Sequence, residues 1–263
     1  MRNLTMLMDY YELTMSNGYF EKGFKDKMVV FDMFYRKNPD NGGFVVSAGL
    51  EQLIEYIENM HFSKEDIEFL RSKGEFSEGF LQYLADFKFT GNIDALPEGT
   101  ICYPNTPIVT VTAPVIEAQL IETMLLLTMN FQSLIATKAS RICRTAAESG
   151  AVVMEFGARR AHGGDAAILG ARAAYIGGAA ATATVMADER FGVPAIGTMA
   201  HSWIQFFDNE YEAFKAYAEV YPDNCTLLID TYDILNSGLV NAIRVAKEVL
   251  EPAGKRLKGV RID

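Results

Sequence analysis

Apolar residues return every three or four positions at Leu50, Leu53, Ile54, Ile57 and Met60, the spacing of an amphipathic helix. Residues 9–20 read the same way, with Asp9 as a candidate cap and Gly23 as the stop. Ser63 with Asp66 has the form of a capping box opening another helix, which Gly74 ends, and Ser77 starts a third over 77–87. Residues 28–36 instead alternate Val30, Asp32, Phe34 and Arg36 with Val29, Phe31, Met33 and Tyr35, the period of a strand. After the turn over 38–43 comes a short strand at 44–47. Residues 90–112 are broken by Gly91, Gly99, Pro97, Pro104 and Pro107, and Val109-Thr110-Val111-Thr112 alternates cleanly. A small antiparallel sheet is expected there.

From Pro114 the texture changes. Leu120, Met124, Leu127, Phe131, Leu134 and Ile135 keep a helical period within 115–150, with one break expected near Asn130. Beyond it apolar runs and helical patterns alternate. Strands are expected at 151–156, around Ile176, at 194–198, 225–230 and 259–263, with helices over 165–175, 183–190, 210–220 and 235–250. Strands apolar throughout with helices between them indicate parallel βα units. The expected class is α/β: an N-terminal α+β domain over residues 1–113, then an irregular, incomplete βα barrel over 114–263. About five strands fall short of the eight of a closed barrel, so the C-terminal part of that domain is expected to be missing.

Composition narrows the function classes. Apolar residues make up 49% of the 263, enough for a large core, and no apolar run spans a bilayer. A cleaved signal is not expected, because Met1-Arg2-Asn3-Leu4 leads straight into an amphipathic pattern. Cys102, Cys143 and Cys225 form no CxxC pair, which argues against a zinc site or a disulfide framework and for a cytoplasmic protein. A net charge of −10 disfavours nucleic acid and anionic membranes as partners. Within 138–172 the balance reverses locally, and the pair Arg159-Arg160 lies in a glycine-flanked loop.

In a βα barrel, reactive groups stand just past the C-terminal ends of strands. Here those ends are Phe156-Gly157-Ala158-Arg159-Arg160, Thr198 with His201-Ser202, Asp230-Thr231-Tyr232-Asp233, and Arg261 with Asp263. Guanidinium groups beside glycines suit phosphate. Asp230, Asp233 and Asp263 suit Mg²⁺ or ribose hydroxyls, and Phe156 offers a face to a flat heterocycle. His201 is a candidate for nucleophilic or acid–base work, against the alternative of a packed core histidine. Helix capping is the alternative for Asp230 and Asp233, and a surface ion pair for Arg160.

Five stretches in order, Asp9-Tyr10-Tyr11-Glu12-Leu13-Thr14-Met15, Glu155-Phe156-Gly157-Ala158-Arg159-Arg160, 197–202, Ile229-Asp230-Thr231-Tyr232-Asp233 and Gly259-Val260-Arg261-Ile262-Asp263, make the chain resemble nicotinate phosphoribosyltransferase, of the type II phosphoribosyltransferase fold. The resemblance implies that nicotinate and phosphoribosyl pyrophosphate are joined into nicotinate mononucleotide in NAD salvage, with ATP hydrolysis coupled through phosphorylation of His201. It implies Thr198 as a nicotinate contact, Phe156 and Tyr11 as stacking residues, Arg159 as a phosphate contact, and Arg261, Asp263 and Asp230 around phosphoribosyl pyrophosphate. Mg²⁺ would be held through Asp230 or Asp263. Tyr11 would come from a partner subunit, so a homodimer with shared active sites is implied. Residues 181–184 depart from the family's usual Gly-Thr-Ser-Asn-like run. Three alternatives stay open: a nicotinamide phosphoribosyltransferase, a non-catalytic truncated homologue, and an unrelated βα-barrel sugar-phosphate enzyme.

Overall fold

The computed structural model describes residues 3–263, which pack as two compact units, one through Ala195 and one from Ile196. The expected division at 113/114 is a change of secondary-structure type and lies within the first unit.

The first unit opens with α1 (Tyr10–Glu21), β1 (Met28–Met33), β2 (Val45–Val46), α2 (Leu50–Asn59), α3 (Lys64–Ser72) and α4 (Glu78–Ala85). The capping box at Ser63 forms in full, with each side chain taking the other residue's amide, and Ser77 caps α4 through the Phe80 N–H. Then come β3 (Asn92–Ala95), β4 (Ile101–Cys102) and β5 (Val109–Pro114). β5 lies between β1 and β3, antiparallel to both, and β2 pairs antiparallel with β4. Its alternation explains that place: Val109, Val111 and Ala113 are buried while Thr110 and Thr112 are less so. The buried face meets Leu53, Leu70, Phe80, Leu81, Leu84 and Ile116 in one core, each such side chain contributing about 1.5–3 kcal/mol.

The helical zone that follows is α5 (Val115–Leu120) and α6 (Glu122–Glu148). The break falls at Ile121 rather than near Asn130, where α6 runs on. A distant side chain takes up the amide that the break frees: the Thr123 N–H is accepted by Glu12 of α1 at 3.1 Å.

β6 (Met154–Glu155), α7 (Gly164–Ile176), β7 (Ala181–Thr182) and α8 (Val185–Phe191) complete this unit. β6 and β7 are parallel, as the βα pattern requires, but two expected strands are not where the apolar runs stand. Ile176 belongs to the end of α7, and the strand forms at Ala181 and Thr182 instead. Residues 194–198 contribute a single bridge, Ala195 to Thr182, because Pro194 has no N–H for a ladder and only its carbonyl is used, by the Thr182 amide at 3.0 Å. The departing residues 181–184 therefore serve the sheet and the turn beside it: Thr182 donates its hydroxyl to Glu155 Oε2 at 2.7 Å.

A buried ion pair ties these pieces together. Arg172 of α7, 8% exposed, donates Nη1 to Glu98 Oε1 at 2.9 Å and Nη2 to Glu98 Oε2 at 2.6 Å, and also pairs with Glu51. Glu98 in turn accepts from the Gly49 and Leu50 amides, 2.5 and 3.1 Å away, at the start of α2. Gly49 is required there: its φ is +109° and a Cβ would stand 2.6 Å from the Thr128 carbonyl oxygen. Burial opposes ionisation of Glu98, but the guanidinium and the two amides outweigh it and hold the carboxyl below its ordinary range.

The second unit holds α9 (His201–Phe206), α10 (Glu210–Val220), β8 (Thr226–Leu228), α11 (Leu239–Val245) and β9 (Gly259–Arg261), with wide π-type turns flanking α11. β8 is buried, packed with Phe214 and Ala218 of α10 and Ala242 and Val245 of α11 in one core. β8 and β9 are parallel, Leu228 opposite Arg261. The class is α/β, with parallel pairs that form no closed barrel among the described residues.

Removing Arg172 leaves Glu98 buried without its charge partner. Arg172→Met is expected to destabilise the first unit by roughly 3–5 kcal/mol at neutral pH, read as a lower denaturation midpoint at unchanged m-value. The depressed Glu98 carboxyl contributes stability above its unfolded value near 4.5, and the contribution is lost as pH falls through the lower folded value. The gap between wild type and variant should therefore narrow in acid; a constant gap would rule the pair out as its source.

Candidate active site

The second unit gathers four of the expected residues, Thr198, Asp230, Arg261 and Asp263, near the imidazole of a fifth, His201. α9 begins at His201, after Ala200 in extended conformation, and is held by Trp203, whose Nε1 donates to the Ala213 carbonyl at 3.1 Å and whose ring meets Tyr217. His201 thus projects from a fixed first turn, its side chain 39% exposed. The β8 and β9 ends supply its neighbours. Nδ1 lies 3.1 Å from Thr231 Oγ1 and 4.0 Å from Asp230 Oδ1, and Nε2 lies 3.5 Å from Asp263 Oδ2. The Asp263 amide donates to Asp230 Oδ2 at 2.8 Å, joining the two strand ends.

Arg261 is committed on one side. Nη1 donates to Thr198 Oγ1 and to the Met199 carbonyl, both at 3.0 Å, and Nη2 pairs with Asp263 Oδ1 at 3.0 Å. The guanidinium thereby orients the carboxylate that faces His201 and fixes the loop before α9. Asp230 is 15% exposed, and its Oδ1, 4.0 Å from His201 Nδ1, has no hydrogen-bond partner. An imidazole between two carboxylates, one nitrogen held by a hydroxyl, is equipped for nucleophilic or general-base chemistry.

Asp233 has a different job. Its carboxylate accepts from the Leu235 and Asn236 amides and from the Asn236 side chain, the capping role that was the alternative for it. Those bonds hold its pKa below the ordinary value.

The remaining expected residues belong to the first unit. Phe156 follows β6 with 42% of its surface exposed, and Arg159 and Arg160 stand exposed on the turn Ala158–Arg160. Glu155 shapes that turn by accepting the Gly157 amide at 2.5 Å. Tyr11, on α1, is 43% exposed; partial burial and the Glu122 carboxylate push its phenol up to about 12. His61 sits in a loop with its Nδ1 on the Asn59 carbonyl, away from these groups in sequence and role.

Two site residues escape sequence reasoning. Thr231 stands in a recognisable motif, but nothing in its spacing says that its hydroxyl meets His201. Gly238 begins α11 so close to β8 that a Cβ would lie 1.9 Å from the Ile229 carbonyl oxygen, which only glycine allows. That contact seats the residue just before Asp230.

Residues 6–130 match the model of the nicotinate phosphoribosyltransferase N-terminal domain. A nicotinate phosphoribosyltransferase of Bacillus subtilis is 46% identical over 99% of this chain and 52% of its own length. One from Mycobacterium tuberculosis is 44% identical over 98% of this chain and 54% of its own. Residues 6–130 thus carry the N-terminal domain of nicotinate phosphoribosyltransferases, and the chain is similar to members of that family along nearly its whole length. It spans about half the length of the curated relatives it matches. The crystal structure of human nicotinic acid phosphoribosyltransferase superposes on 97% of this chain and 60% of that one, with a TM-score of 0.88 at 29% identity. Among the described residues no helix is long and apolar enough to cross a membrane.

Gly238→Ala should force β8 and α11 apart. The expected cost is about 1–3 kcal/mol, seen as an earlier melting transition of the second unit together with altered His201 imidazole resonances in NMR. A variant that melts like wild type with unmoved resonances would show that the close approach does not seat Asp230.

Proposed function

We propose that this protein is a nicotinate phosphoribosyltransferase that couples phosphoribosyl transfer to ATP hydrolysis through phosphorylation of His201. What supports this is one observation above all: the single imidazole of the second unit is flanked by Asp230 and Asp263 and held by Thr231, in a chain 46% identical to an enzyme of that name.

In the transfer, the pyridine nitrogen of nicotinate forms a bond to ribose C1 while the bond from C1 to the pyrophosphate oxygen breaks. Charge builds on the leaving pyrophosphate and on a ribosyl centre of oxocarbenium character, so catalysis is chiefly electrostatic. Arg159 binds phosphate oxygens as a bidentate donor. Arg261 keeps Asp263 aimed at the ribose region and Thr198 in place for the nicotinate ring. Phe156 presents one face to that ring, and Tyr11 from a second copy of the chain presents the other, in a homodimer with shared sites. The Tyr11 phenol stays protonated at physiological pH.

In the coupling step, His201 attacks the γ-phosphorus of ATP, releases ADP, and is later freed by water as phosphate. The Thr231 hydroxyl on Nδ1 and the Asp263 carboxylate facing Nε2 hold the ring in place, and the neutral imidazole attacks through the nitrogen that carries the lone pair. Mg²⁺ fits the oxygen donors available, since it takes one or two carboxylates plus substrate phosphates, and Asp230 Oδ1 is a buried carboxylate oxygen without a partner. Among the described residues no group of three or more His, Cys, Asp or Glu side chains is arranged to hold a metal, so phosphates would complete its shell. When bound, Mg²⁺ neutralises phosphate charge. With nicotinate as substrate and nicotinate mononucleotide as product, the reaction proposed is a step of NAD salvage.

Incubation with γ-labelled ATP should give an acid-labile phosphate on the protein that His201→Ala abolishes, and nicotinate should yield mononucleotide in preference to nicotinamide. Label surviving in His201→Ala, or preference for nicotinamide, refutes the assignment. Asp230→Asn is expected to lower kcat/KM by about 10²-fold. Asp233→Ala should lower the melting temperature through its lost cap while leaving kcat/KM unchanged. Equal losses of activity in both variants would mean that the two carboxylates had been given the wrong roles.

A further inference from the structure

The start of α1 is held in an unusual way. Glu12 is fully buried, on a helix whose neighbouring Tyr11 remains exposed. Its Oε1 accepts two hydrogen bonds from one residue of α6, the Thr123 amide at 3.1 Å and the Thr123 hydroxyl at 2.5 Å. The same hydroxyl oxygen accepts the Asp9 amide, 3.1 Å away, just before α1. Tyr11 stands next to Glu12 on α1, where burial and then the charge of Glu122, the residue before Thr123, raise its phenol, and Glu122 also accepts from Gln119 of α5 at 2.6 Å. Asp9 and Glu12, three positions apart on α1 and its cap, thus meet one residue of α6, Thr123, at the place where the α5–α6 run is broken.

The chemistry explains why a carboxylate stands there. A helix that starts at Glu122 leaves its first amides without intrahelical acceptors, and a buried amide without an acceptor costs free energy. Ile121, in the cap position, has no side-chain oxygen to offer. Glu12 supplies the missing acceptor from another helix, and the bond runs only if α1 keeps its register against α6. A shift of α1 by one residue would turn Glu12 about 100° away and carry Tyr11 with it.

We propose that Glu12 is a positioning residue: by capping α6 from α1 it fixes the direction in which Tyr11 is presented. The part of this that concerns substrate rests on the assignment of Tyr11 as a ring-stacking residue. The groups facing Glu12 agree with a packed, polar clamp. Asp9 and Tyr11 come from α1 and its cap, Glu122 and Thr123 from α6, and Tyr56 of α2 is buried within range of its charge. Burial is the largest influence on Glu12 and raises its pKa against the bonds from Thr123 and Asp9. A neutral glutamine, which keeps the same acceptor oxygen, is therefore compatible with the site.

The test reads Tyr11 itself, without substrate. In protein carrying tyrosine labelled with ¹³C at Cζ, and with Tyr11→Phe to assign the signal, wild-type Tyr11 should remain protonated at pH 10, because its phenol is raised to about 12. Glu12→Ala should turn it away from Glu122, so that its titration moves down from about 12 toward the ordinary value. Glu12→Gln should restore the wild-type signal, which separates lost acceptor geometry from lost charge. Thr123→Val removes the hydroxyl but keeps the amide, and should move Tyr11 part of the way even if Glu12→Ala does not fold. Unchanged Tyr11 titration in both Glu12→Ala and Thr123→Val, or failure of glutamine to restore it, overturns the proposal; a purely structural Glu12 would lower the melting temperature without moving Tyr11. The KM for nicotinate should rise at least several-fold in Glu12→Ala and recover in Glu12→Gln. If Tyr11→Ala leaves that KM unchanged while the phenol still responds to Glu12→Ala, the clamp stands and the stacking role falls.

Discussion

The candidate site depends on one register. Leu228 of β8 lies opposite Arg261 of β9, so Asp230 and Asp263, each two residues further on, leave the parallel pair side by side. Parallel pairing makes both strands end at the same edge, and the Asp263 amide on Asp230 Oδ2 locks the ends together. Because side chains alternate across a sheet, a slip of one residue would exchange Asp263 for Ile262 and turn Arg261 away from Thr198. Two carboxylates around His201 are thus a consequence of strand geometry rather than of the loops. Gly238 guards that geometry from the other side, since any larger residue there would press on the Ile229 carbonyl.

Seen this way, the legible and illegible parts of the sequence separate by range. The helices could be read because a helix is specified by residues three and four apart, and the box at Ser63 and Asp66 is wholly local. β5 could be read because its alternation is complete, and β8 because Leu227 and Leu228 head a buried apolar run. The chemistry-bearing ends of β8 and β9 followed from those strands. The short parallel pairs were harder. Ile176 carries the same apolar character as a buried strand, yet it ends a helix whose Ala173 and Ala174 are packed, and the pairing falls on Ala181 and Thr182. Periodicity cannot separate a buried strand from a buried helix end. At 194–198 the expected strand shrinks to one bridge at Ala195, in keeping with a proline that cannot donate to a ladder.

The break at Ile121 could not be read locally, since the carboxylate that takes up the freed Thr123 amide lies 111 positions from that residue. The same is true of Arg172, whose partner Glu98 is 74 positions distant. Both are buried polar contacts of the first unit, and both end at the start of a helix: Glu98 takes the first amides of α2, and Glu12 takes an amide in the first turn of α6. Acidic side chains near helix N-termini are favoured by the helix dipole as well as by the open amides. In sequence these acids look like ordinary surface residues of an acidic protein, and only tertiary structure distinguishes them.

His201 draws on the same economy of contacts. An exposed histidine at the start of a short helix would rotate freely and present either nitrogen. Thr231 removes that freedom on the Nδ1 side, and Arg261 removes it on the other by holding Asp263 at a fixed distance from Nε2. The guanidinium is itself fixed by the Thr198 hydroxyl and the Met199 carbonyl, in the loop that leads into α9. The ring and its carboxylates are therefore tied into one closed circuit: loop 198–199 to Arg261, Arg261 to Asp263, Asp263 to Asp230, and back to the imidazole. A group placed in such a circuit is preorganised, because its partners need no rearrangement when charge develops beside it. That property, more than the identity of any one residue, makes this histidine the centre of the site.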